Sequence, residues 1–126
     1  MGVSDWSDPR DPVFVEWKRG IEEIASCPNV VAKLGGSVLP HMGLGWDTAD
    51  RPRTSDEFLD GQRLYYEHML ESFGPERCMF ESNFSVDQLA MNYRTLWNAY
   101  KKLTQGFSAS ERAELFEGTA TRVYRL

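Results

Sequence analysis

Side chains of the usual catalytic and metal-ligating kinds are sparse in this sequence. Histidine occurs only as His41 and His68, and cysteine only as Cys27 and Cys78. The cysteines lie far apart and lack the Cys-x-x-Cys spacing of a zinc or redox motif, so each is expected to pack as a small buried hydrophobe. His41 falls in residues 37–54, a stretch rich in glycine and proline just beyond an apolar run. That stretch is too long and too punctuated for a simple turn, and such loops in compact domains often carry function. There His41 either touches a substrate or is plain surface, and Trp46, among the glycines, is placed to cover a pocket. His68 stands mid-helix between Glu67 and Met69 and is expected at the surface or in helix packing.

A framework of short elements must position these residues. Residues 1–11 carry Asp8-Pro9 and no periodic apolar signal, an irregular lead-in to a domain over 12–126. Asp11-Pro12 predicts an N-cap with proline in the first turn. Phe14, Trp17, Ile21 and Ile24 follow at helical spacing, so a helix is expected over 12–26. Val30 to Leu34 suit a strand covered on both faces and ended by Gly35-Gly36. Thr54 and Glu57 have capping-box spacing, predicting a helix to about Phe73 with Phe58, Tyr65, Met69 and Phe73 buried. Residues 78–84 read as a second strand; Asp87, four residues after Asn83, either lines the same pocket as Asn83 or, the preferred role, caps a helix with Leu89, Tyr93, Leu96, Trp97, Tyr100 and Leu103 on its buried stripe. Ser108 and Glu111 form a second capping box, opening a short helix that Gly118 is expected to end. Ala120, Val123 and Tyr124 then supply one last apolar face.

Two strands separated by one helix predict parallel pairing and an α/β fold. Such a pair leaves unpaired edges, so further sequence or another chain is expected to complete the sheet. With 126 residues, 41% of them hydrophobic, the chain has material for one modest core. A net charge of −5, with 14 basic and 19 acidic residues and no basic run, argues against nucleic acid or an anionic membrane as partner. The first residues lack a basic segment followed by an apolar run, so no signal peptide or anchor is expected and the cytoplasm is the expected location.

Three segments, in order, resemble the amidohydrolase-2 family of metal-dependent hydrolases. Cys27 to Gly36, CPNVVAKLGG, is similar to the family's PNVxxKLSG strand. Phe73 to Phe84, FGPERCMFESNF, is similar to FGPERxMFGSDWP, and Leu115 to Leu126, LFEGTATRVYRL, to LFxGNAxRxYxL. The resemblance implies a C-terminal fragment of a (β/α)8 TIM barrel, about two parallel strands with four or five helices. A complete barrel needs roughly 250 residues. It further implies hydrolysis of a small organic substrate such as a lactone, an amide or a carboxylated ring. The implied cofactor is a divalent metal, zinc or manganese, in the complete enzyme; the family's His-x-His pair has no counterpart here, so this chain alone is expected neither to bind the metal nor to be active. The rival expectation is a non-catalytic half-barrel that pairs with a second copy or with a separate N-terminal half.

Barrel chemistry sits at the C-terminal ends of the strands. Where the family's last strand ends in an aspartate that contacts metal or takes a proton from water, this chain has Asn83. An amide can offer its carbonyl oxygen to a metal or a water, but it cannot serve as a carboxylate base. Ser82 would support it by hydrogen bonding. If Asn83 points inward, alternation puts Glu81 and Met79 on the same face. The Glu81 carboxylate then needs a partner, and Lys33 on the neighbouring strand is expected within about 4 Å; the other reading makes Glu81 the substitute base or ligand. The expected site is thus Asn83, Ser82 and Glu81 for catalysis, His41 and Trp46 for substrate, and Asn83 as metal ligand.

Overall fold

The computed structural model describes residues 8–42 and 44–126. The first seven residues of the lead-in and the side chain of His41 lie outside the described residues.

Helix α1, Pro12–Ala25, begins where the Asp11 carboxylate accepts hydrogen bonds from the backbone N–H groups of Val13 and Phe14. It buries Phe14 and rests Trp17 and Ile21 against the core, while Ile24, placed on that stripe by its spacing, is exposed. Strand β1, Ala32–Leu34, is shorter than the expected 30–34 and is covered on one face only. Ala32 and Leu34 are buried, whereas Val31 and Lys33 are exposed on the alternate positions.

Helix α2, Ser55–Phe73, has the predicted capping box: Thr54 Oγ1 accepts from the Glu57 N–H at 3.2 Å and Glu57 accepts from the Thr54 N–H at 2.8 Å. Thr54→Ala is expected to lower stability by about 1 kcal/mol, read from the urea midpoint. The buried face of α2 carries Phe58, Leu59, Tyr66, Leu70 and Phe73.

Strand β2, Cys78–Phe80, pairs with β1 in parallel, matching Ala32 with Cys78, Lys33 with Met79 and Leu34 with Phe80. One more bond, from Glu81 N–H to Leu34 O at 3.1 Å, continues the ladder. The strand does not reach residue 84, because Asn83 takes the left-handed conformation (φ 42°, ψ 33°) and turns the chain into α3, Phe84–Asp87. Residues 88–91 lie in turns and a bend and Asn92 is the extended cap, so α4 is Tyr93–Leu103 and starts later than its apolar spacing suggests. Leu89 (55% exposed) and Tyr93 (50%) are therefore outside the core, while Leu96, Ala99, Tyr100 and Leu103 are in it.

Helix α5, Ala109–Ala113, opens on the Ser108–Glu111 capping box. Gly118 does not end it. A π-helical turn, Glu114–Gly118, carries the chain on into α6, Thr119–Tyr124, as the Glu114 carboxylate folds back to Arg122 at 3.0 Å and Thr119 at 3.3 Å. Val123 and Tyr124 are exposed rather than forming a buried face. The described residues thus form an α/β unit with one two-stranded parallel sheet, whose core joins Leu34 and Phe80 to α2 and α4 through Phe58, Tyr66 and Tyr100.

Candidate active-site face at the strand ends

Because β1 and β2 are parallel, their C-terminal ends lie side by side. A Cβ on Gly35 would stand 2.4 Å from Glu81 Cγ and 2.8 Å from Glu81 O, and one on Gly36 3.6 Å from Asn83 Nδ2. The Gly35 backbone needs no positive φ; closeness to Glu81 is what demands glycine there. On the same face Lys33 Nζ meets Glu81 Oε2 at 2.5 Å, the ion pair expected from strand alternation. The hydrogen bond and charge of Glu81 hold the Lys33 ammonium above its ordinary pKa, with Tyr124 adding to the effect. The Glu81 carboxylate is therefore committed to a cation.

Asn83 Nδ2 donates to Asp87 Oδ1 at 3.3 Å, and Asn83 O accepts from the N–H groups of Val86 and Asp87, each at 3.0 Å. With one amide N–H given to Asp87, the side chain keeps its carbonyl oxygen and a second N–H for a ligand. Asp87 is not a cap. It is the last residue of α3, 1% exposed, and its carboxylate is the acceptor for Asn83. Burial pushes its pKa up to about 6; the Asn83 amide pulls it down and the charge of Glu81 adds to the rise. Ser82, between Glu81 and Asn83, is half-buried.

Beneath this face runs a chain of buried hydroxyls that the sequence reasoning missed. Tyr100 donates to Glu81 O at 3.0 Å, Tyr66 lies 3.4 Å from Tyr100, and Ser37 lies 3.0 Å from Tyr66. A carbonyl only accepts, so Tyr100 spends its proton on Glu81, Tyr66 on Tyr100 and Ser37 on Tyr66. The proton order is thereby fixed, and both strand ends are tied to α2 and α4. Burial holds the phenols of Tyr66 and Tyr100 well above the usual range, so they stay neutral donors. Tyr66 lies eight positions after Phe58, on the same helical face, and that spacing was the available signal.

The two residues expected to bind substrate, His41 and Trp46, lie in the loop that follows β1. The backbone of His41 sits in the tight turn Pro40–Met42. Trp46 packs on α2, its ring 6.4 Å from that of Phe58 and close against Gly61, with Arg53 above it at 5.8 Å. His68 is buried against Trp17, with Nε2 3.2 Å from Lys18 O, in keeping with helix packing. Cys78 is buried, and burial pushes its thiol up to about 12, but Cys27 is exposed and does not pack as expected.

The amidohydrolase family matches residues 1–126. The chain belongs to that family. Protein y4mH of Sinorhizobium fredii, itself uncharacterized, is 40% identical over 114 residues, which are 90% of this chain and 34% of that protein. The L-fucono-1,5-lactonase of Burkholderia multivorans is 32% identical over 120 residues, 94% of this chain and 38% of the lactonase. Two crystal structures of an amidohydrolase from Burkholderia multivorans, one with bound zinc and one with bound HEPES, superpose at TM-scores of 0.79 and 0.80 with 30% identity. They cover 97% and 98% of this chain, and 41% and 42% of theirs. This amidohydrolase chain therefore spans 34–42% of the length of the relatives it matches. Its α/β fold is the corresponding segment of an amidohydrolase barrel.

A metal held by such a barrel needs several converging donors. Among the described residues no three His, Cys, Asp or Glu side chains converge. Glu81 is tied to Lys33, Asp87 is buried, and Asn83 offers a single neutral oxygen. The described residues do not fit a metal by themselves. No helix among them is long and apolar enough to cross a membrane.

Proposed function

We propose that this chain supplies the closing strand ends of an amidohydrolase active site that hydrolyses a small cyclic ester or amide, with a sugar-type lactone as the leading substrate class. The observation carrying this reading is the Asn83 turn at the end of β2, whose amide is fixed by Asp87 with its carbonyl oxygen left for a ligand, in a chain of this family. Similarity to a lactonase over 94% of the chain supports the lactone class. Asn83 then orients a water or a substrate polar group, Ser82 assists, and Glu81 with Lys33 fixes the strand end. Zinc or manganese is assigned to the parts of the relatives that this chain does not span, and the cytoplasm remains the location we favour. The chain by itself is catalytically silent on this reading.

The test is complementation. The part of the Burkholderia lactonase that this chain does not match is co-expressed with the chain and, as positive control, with the lactonase's own matching part; lactone opening is followed by proton release. Activity with both supports the reading. Activity with the control alone counts against it, and metal-dependent lactone opening by the pure chain overturns its silence. The open outer edges of the two-stranded sheet favour one other reading, a non-catalytic half-barrel that binds a second copy or a separate half; binding without activity is its signature.

A further inference from the structure

A cleft of about 530 Å3 separates the start of α2 from the start of α4. One wall carries Arg51, Arg53 and Ser55; the other carries Asn92, the residue that caps α4, with Thr95 and Asn98 three and six positions on along the helix. No described carboxylate lines it. The two guanidiniums share a single acid. Arg51 takes both oxygens of Glu57, at 2.9 and 2.7 Å, whereas Arg53 Nη1 reaches that carboxylate only at 3.6 Å. Arg53 Nε is buried with no hydrogen-bond partner.

Arg53 is nevertheless held in place. Its N–H donates to Ala90 O at 2.9 Å, and its guanidinium lies 5.8 Å from the centre of the Trp46 ring. A guanidinium has five N–H donors in a rigid fork. This one makes only a long contact to Glu57 through Nη1, and paired hydrogen bonds from such a fork are how arginine grips carboxylates and phosphates. Asn92, whose side chain makes no capping bond, adds neutral donors across the gap together with Thr95 and Asn98. A neighbouring hollow of about 360 Å3 also touches Arg51 and Arg53, but Asp50 lines it. An anion there would meet a carboxylate, so the acid-free cleft is the favourable side.

We propose that this cleft is a binding site for a small oxyanion, a carboxylate or phosphate group, gripped by Arg53 and flanked by the amides and hydroxyl of α4. The site stands apart from the hydrolase reading and survives or fails without it.

The wild-type chain is titrated with inorganic phosphate and, separately, with malonate, at an ionic strength held constant with chloride. Backbone amide resonances and the melting temperature are followed together. The expected result is saturable shifts confined to residues 51–55 and 92–98 with at least one anion, and a rise in melting temperature that chloride does not give. Saturation by phosphate alone or by malonate alone assigns the ligand class. Arg53→Gln is expected to weaken binding at least about tenfold, as loss of a charge-assisted pair of hydrogen bonds should. Arg10→Gln, at an exposed arginine that does not line the cleft, should leave it unchanged. Should Arg53→Gln fail to fold, Thr95→Val with Asn98→Ala is expected to weaken binding too. Absent saturation, shifts spread over all exposed basic residues, or unaltered affinity in the folded variants would overturn the site.

Discussion

Gly35→Ala is expected to lower the stability of the chain by about 3–4 kcal/mol, a large part of the ~5–15 kcal/mol typical of a domain. The added methyl would stand 2.4 Å from Glu81 Cγ and 2.8 Å from Glu81 O. Part of this obstacle is backbone, so no rotamer change relieves it, and the strand ends must separate. Overpacking of this kind costs about 1–3 kcal/mol. Separation also strains two hydrogen bonds, Glu81 N–H to Leu34 O at 3.1 Å and Tyr100 O–H to Glu81 O at 3.0 Å. Each contributes about 1 kcal/mol. The urea midpoint is the readout. Gly20→Ala in α1 is the contrast: nothing lies within 4 Å of the added methyl, and it should stabilise by about 0.5–1 kcal/mol through helix propensity alone. A wild-type midpoint for Gly35→Ala would mean that the strand ends are not packed as described.

Local signals carried most of the framework. Thr54 with Glu57 and Ser108 with Glu111 announce helix starts because a capping box is a contact within one turn, readable from spacing alone. The Lys33–Glu81 pair was legible for a similar reason: alternation fixes which face a strand residue takes, and a charge beside a core needs a partner. What failed depends on contacts or turns that the local pattern does not record. Leu89 and Tyr93 continue the helical period of Leu96 and Tyr100, yet the Asn83 turn and α3 hold the chain outside the helix until Tyr93. Gly118 looked like a stop, but Glu114 bound to Arg122 and Thr119 carries the helix through a π turn. Ser37, Tyr66 and Tyr100 come from three elements, so their hydroxyl chain has no signature in any one segment. Position before an apolar run favours Asp87 as a cap over a place beside Asn83; the left-handed Asn83, four residues earlier, decides for the second role by turning Asp87 inward.

Asn83 and Asp87 should behave as one unit, and Asn83→Asp is expected to destabilise the chain by about 2–4 kcal/mol at pH 7.5. The change removes the donor to Asp87 and sets a second carboxylate about 3.3 Å from a buried one. The wild-type carboxyl of Asp87 already has its pKa raised to about 6 from 3.8. A carboxyl whose native pKa is raised binds its proton more tightly folded than unfolded, so its contribution to stability is greatest below about pH 4 and is lost as pH rises to about 6. Two pKa units correspond to about 3 kcal/mol, an order-of-magnitude figure. Asp87→Asn, which keeps an acceptor for Asn83, should therefore match wild type near pH 4 and exceed it by about 2 kcal/mol at pH 7.5. The loss in Asn83→Asp should shrink below pH 5, where one carboxyl takes up a proton and can donate to the other. Combining both changes exchanges donor and acceptor across the same contact, so the double variant should recover most of the stability, with a coupling of about 2–3 kcal/mol in the cycle. Urea titrations of the four proteins at pH 4 and 7.5 decide the matter; additive effects would show that the two side chains do not act together. The functional consequence follows from that coupling. Asn83→Asp alone installs the carboxylate that the family resemblance implies at this position only by forcing it against Asp87, whereas the double variant offers it in a relaxed contact. In the complementation assay the double variant, not the single one, should raise lactone opening above that given by the wild-type chain.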